Sequence, residues 1–107
     1  MVNKILRFTD LVPAEEPAAK IGELSPPQDR TIELEEIWGS GNADLELTVN
    51  VEERSLIDGV PLPQIGTVTE RIVFKQTLNG GETMTFVVNE QSGADQNPEV
   101  YLLVDER

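Results

Sequence analysis

Across residues 44–52 apolar and polar positions alternate without a break. Leu45, Leu47, Val49 and Val51 fall on one side of an extended chain, and Glu46, Thr48, Asn50 and Glu52 on the other. A period of two separates the two sets completely, whereas a helix would scatter them around its circumference. One face is therefore buried and one wet, the pattern of an antiparallel sheet packed on one side. Upstream, from Thr31, Ile32 and Leu34 keep the same alternation until Glu35-Glu36-Ile37-Trp38 breaks it. An extra residue at Glu35 or Glu36, a β-bulge, restores the register and turns Ile37 inward. Gly39-Ser40-Gly41-Asn42 reads as the turn between these two strands.

Downstream, Asp58-Gly59 stands between apolar residues in Leu56-Ile57-Asp58-Gly59-Val60-Pro61-Leu62, which predicts a two-residue hairpin with positive φ at its centre. Pro61 and Pro63 keep the return limb short and at a sheet edge. Residues 68–78 form a longer strand with Ile72, Phe74 and Leu78 inward, and Asn79-Gly80-Gly81-Glu82 turns the chain back. In the strand that follows, Met84, Phe86 and Val88 share a face. A polar loop over 92–98 leads to a last strand at 99–105. Here Val100, Leu102 and Val104 alternate with Tyr101 and Leu103, so both faces are apolar and the strand is either central or a contact between subunits.

Residues 1–30 differ in character. Residues 2–9 suit a short strand, and Ile21 to Leu24 suit a few residues of another. Between and after them lie Pro13, Pro17, Pro26 and Pro27, four of the seven prolines. Proline removes ladder donors and biases its predecessor towards extended geometry, so 10–30 reads as an extended stretch, with at most a helical turn near 14–20. Two readings stay open: a loop tied to its own domain, or an arm docking on a neighbour through Ile5, Leu6 and Phe8. The chain divides accordingly into an N-terminal arm, 1–30, and a β-sandwich domain, 31–107.

Twenty acidic residues against eight basic ones leave a net charge of −12, and residues 10–53 alone carry −10. Such a body repels phosphate backbones and anionic lipid, which argues against nucleic-acid and membrane partners. With 107 residues and few aromatics, the core is small and association with other copies is a plausible source of further burial. The chain has no His and no Cys. Ser-His-Asp and Cys-His catalysis are excluded, a zinc site lacks its usual ligands, and no disulfide framework exists. No stretch matches a phosphate-binding glycine loop, a signal peptide or a membrane span.

Carboxylates remain as candidate chemistry. Glu33, Glu35 and Glu36 cluster on one strand and read as a solvated face rather than a glycosidase pair, because aromatic platforms are scarce. Asp58, or Asp95 with Asn97, offers loop oxygens to calcium, without the spacing of an EF-hand. Trp38, the one tryptophan, caps a core or an interface, or else stacks on a sugar at the rim.

The run of features from Ile37-Trp38-Gly39-Ser40-Gly41, through the Asp58-Gly59 segment, to Leu78-Asn79-Gly80-Gly81-Glu82-Thr83-Met84-Thr85-Phe86 and the final strand resembles small jelly-roll and related β-sandwich accessory proteins of virions. The resemblance implies capsid decoration, cement, tail or spike proteins, commonly trimers that use an N-terminal arm. It supplies no site residues. The expectation is thus an all-β, antiparallel sandwich of jelly-roll type with about seven or eight strands and little helix. It is expected to be a non-catalytic structural part of a virion, folded in the host cytoplasm, with no cofactor. Its partners would be a homotrimer and a larger protein shell, with contacts at Ile5, Leu6, Phe8, Trp38, Tyr101 and Leu103. The alternative is a lectin-like sugar-binding module, cytoplasmic or secreted, with calcium as an aid, since fold alone does not fix function.

Overall fold

The computed structural model describes residues 2–13, 19–40, 45–66, 72–90 and 95–106. Eight strands build it: β1 (Val2–Thr9), β2 (Ala19–Leu24), β3 (Ile32–Ser40), β4 (Leu45–Val51), β5 (Arg54–Pro61), β6 (Ile72–Leu78), β7 (Met84–Glu90) and β8 (Glu99–Glu106). A single 3-10 turn, Leu62–Gln64, is the only helical element among the described residues. The strands form two four-stranded antiparallel sheets, β1-β8-β3-β6 and β2-β7-β4-β5. The pairing has a simple rule. β4 pairs with β5, β3 with β6, β2 with β7 and β1 with β8, so the first half of the chain pairs with the second half in reverse order.

Alternation along each strand decides what lies between the sheets. The organising strand β4 buries Leu45, Leu47, Val49 and Val51 and leaves Glu46, Thr48 and Asn50 partly exposed. Met84, Phe86 and Val88 of β7 join them from the same sheet, and Ile32, Leu34, Ile37, Leu78, Val100, Leu102 and Val104 come from the other. β8 lies between β1 and β3, a central place in its sheet. The break expected in β3 is present: its register against both β6 and β8 shifts between Leu34 and Glu36.

Three expectations need correction. Asp58-Gly59 is no hairpin turn, because β5 runs straight through it. Leu47 faces Val60 and Val49 faces Ile57, so Asp58 and Gly59 together oppose Thr48 in a bulge. The positive φ of Gly59, 63°, serves that bulge. The chain instead reverses at Glu52-Glu53, where Val51 pairs with Arg54 and Glu52 itself takes φ 54°. That turn is held to the start of β7: Glu52 N donates to Thr83 O at 3.1 Å, and Thr83 N donates to Glu52 Oε1 at 3.0 Å.

The second correction concerns residues 1–30. β1 pairs with β8 over its full length and β2 pairs with β7, so this stretch contributes one strand to each sheet instead of standing apart from them. Between these strands Val12 is fully buried and bridges Gln96, with N···O distances of 2.7 and 2.9 Å. Lys20, in the expected helical turn, belongs to β2, while 14–18 lie outside the described residues. Parts of the turn at 39–42, the strand at 68–78 and the loop at 92–98 also lie outside them. Lastly, Ile72 lies on the inward side, opposite Ile37, yet is exposed because the sheet edge at β6 leaves it uncovered, whereas Phe74 packs against the core and Leu78 lies within it.

Candidate functional site

The outward faces of the two sheets have different chemistry. On the second sheet Glu23, Glu46, Thr48, Asn50, Thr85 and Asn89 line up in register, a solvated polar face with Val87 as its apolar member. On the first sheet apolar and aromatic side chains stand among the charged ones at the outward positions. Ile5 of β1 sits opposite Leu103 of β8, and the row continues past Glu36 of β3 to Val73 of β6. Ile5 is 53% exposed and Val73 66%. Leu103 and Val73 share a shallow depression of about 370 Å³ with Asn3, Glu35, Glu36, Lys75 and Asp105.

Along the sheet from this row, Trp38 of β3 sits opposite Tyr101 of β8. The rings are parallel within 5°, with centroids 5.6 Å apart. Trp38 is buried yet stands outside the core cluster, as befits an outward side chain covered by neighbours. Tyr101 is held in turn: its hydroxyl donates to Glu99 Oε2 at 2.5 Å, and Arg7 of β1 donates to Glu99 Oε1. The phenol, followed by Arg7, holds the Glu99 carboxyl below its ordinary range. Glu99, helped by partial burial, raises the Tyr101 phenol in return, and it also raises Arg7. This arrangement fixes the aromatic pair.

The six residues expected to contact partners are therefore divided by the pleat. Ile5, Trp38, Tyr101 and Leu103 lie on this outer face. Leu6 and Phe8 point the other way and pack against the core. Phe8 stacks on Phe86 of the opposite sheet, with centroids 4.5 Å apart. Val73 was missed by sequence reasoning, although its alternation with Ile72 and Phe74 marked it as an outward apolar residue. The loop oxygens considered for calcium are spread out: Asp58 is exposed in the β5 bulge, and Asn97 Oδ1 accepts from the Thr9 hydroxyl at 3.0 Å. No helix among the described residues is long and apolar enough to cross a membrane. Comparison of the chain with protein-family models, with curated proteins and with solved structures gave no match.

Proposed function

We propose that the chain is a non-catalytic structural subunit of a larger assembly, of the kind that decorates virion shells or builds their tails and spikes, and that its sandwich is of jelly-roll type. The pairing of the two chain halves in reverse order supports the winding, since a jelly roll is one long antiparallel hairpin folded over into two sheets. The contrast between the two outer faces carries the functional reading. One face is polar apart from Val87, while the other exposes Ile5 and Val73 on either side of Leu103. An apolar row on a strongly acidic protein marks a surface that is covered in use. Copies of the chain, three in the favoured form, meet a neighbour or a larger shell through this face.

The sugar-binding reading has less support. A stacking platform needs an open ring face, and Trp38 is 4% exposed with one face against Tyr101.

Size exclusion with light scattering tests the proposal. The full chain should run as an oligomer, and Ile5→Lys combined with Val73→Lys should dissociate it while the thermal midpoint of the monomer fold stays within a few degrees. A wild-type chain that stays monomeric at micromolar concentration would overturn self-assembly as the role of this face.

A further inference from the structure

Among the described residues Asp105 is the one buried charged side chain, at 8% exposure, and its Oδ1 accepts no hydrogen bond. A desolvated carboxylate oxygen without a partner is costly unless something else satisfies it. The fold places further negative charge beside it. Glu33 of β3 lies directly across from Asp105 in the β3–β8 ladder. The bulge between Leu34 and Glu36 adds Glu35 to the same end of the sheet. One carboxylate oxygen from each of Glu33, Glu35 and Asp105 lies within 4.8 Å of the other two. Lys75 of β6 is ion-paired with Glu35 and its pKa is raised, first by that hydrogen bond and then by the charges of Glu35, Glu33 and Glu36. This ammonium is two-thirds exposed and leaves Asp105 Oδ1 unsatisfied.

We infer that Glu33, Glu35 and Asp105 bind a hard divalent cation, calcium rather than magnesium. Calcium accepts irregular sets of carboxylate and water oxygens, such as three acids on two strands beside a bulge supply, whereas magnesium demands near-ideal octahedral geometry. Three carboxylates supply both the charge and part of the oxygen shell, and water completes it from the depression that Asp105, Glu35 and Asn3 line. The ion ties β3 to β8 beside the apolar row and satisfies the buried oxygen. The site stands on its own residues, whether or not the neighbouring face serves in assembly.

The test is a thermal melt and a calorimetric titration of the chelator-treated full chain with calcium chloride. Sodium chloride and magnesium chloride at matched ionic strength are the controls. Calcium several-fold above its dissociation constant should raise the midpoint by about 5 °C. Asp105→Asn should abolish this shift, and Asp58→Asn, remote in β5, should leave it intact. Lys75→Gln should strengthen calcium binding severalfold, an effect opposite in sign to that expected if the acids merely pair with Lys75. Should Asp105→Asn fail to fold, Glu33→Gln serves in its place. A shift that persists in both of these variants, or that sodium or magnesium reproduces in full, overturns the site.

Discussion

The two flanks of the sandwich solve the same problem differently. Each is formed by one edge strand from each sheet: β1 and β2 on one side, β5 and β6 on the other. On the β1–β2 flank, Phe8 crosses from the first sheet to stack on Phe86 of the second. The place it occupies exists because residue 22 is glycine: a Cβ there would sit 2.3 Å from the Phe8 ring. Polar contacts continue the closure, with the Thr9 hydroxyl donating to Pro98 O at 2.8 Å and Val12 bridging Gln96. The β5–β6 flank has no such crossing among the described residues. Leu56, Ile57, Val60, Ile72, Val73 and Phe74 instead line a groove of about 360 Å³ that opens to solvent. The difference teaches that a flank closes when an aromatic from one sheet meets a position without a side chain on the other. Apolar residues on both edges are not sufficient.

Phe8 and Phe74 make the sharpest comparison, since both are half-buried and both pack against the core. Phe8→Ala should cost about 3 kcal/mol, the lower end for a buried aromatic, because it removes the ring that joins the sheets. Gly22→Val should destabilise by a similar amount for the opposite reason, overpacking. Phe74→Ala should cost only about 1 kcal/mol, because its ring already faces a groove that water reaches. Urea unfolding of the three variants checks the order. Equal losses for Phe8→Ala and Phe74→Ala would show that the flanks are energetically alike.

Alternation made the faces legible but not the partners. β4, β7 and β8 announce which side chains are buried, and the Glu35 irregularity announces a bulge, because each is a local property of the chain. That β8 lies between β1 and β3 depends on strands far apart in sequence, and no local period carries it. The same gap hid the Glu33–Asp105 juxtaposition: Glu33 read as part of a solvated face until its cross-strand neighbour was in view. The Asp58-Gly59 signal was read as positive φ at both residues of a turn, but Gly59 alone takes it, and in a bulge. A left-handed glycine serves a bulge as well as a turn, and only the register against β4 distinguishes them. The prolines of residues 10–30 drew attention to an arm, although Leu6 and Phe8 already alternate with Ile5 and Arg7 as an ordinary strand does.

The closed flank should also show a pH dependence of its own, through Arg7, Glu99 and Tyr101. Tyr101→Phe keeps the ring against Trp38 and removes only the hydroxyl that donates to Glu99. Because the phenol is the foremost cause that lowers the Glu99 pKa, its contribution to stability is present above the ordinary carboxylate range and is lost as pH falls through the folded-state value. The phenol itself is raised, so its contribution is present below its ordinary range and is lost as pH rises through the folded-state value. Wild type should therefore exceed Tyr101→Phe in thermal midpoint by the most near neutrality, and the two curves should converge at both acidic and strongly alkaline pH. The gap is small, because Arg7 and Glu99 are exposed enough for solvent to screen them, and added salt should narrow it further. Melting curves recorded across the pH range for both proteins decide the matter: a constant offset at every pH would mean that the hydroxyl acts through packing alone.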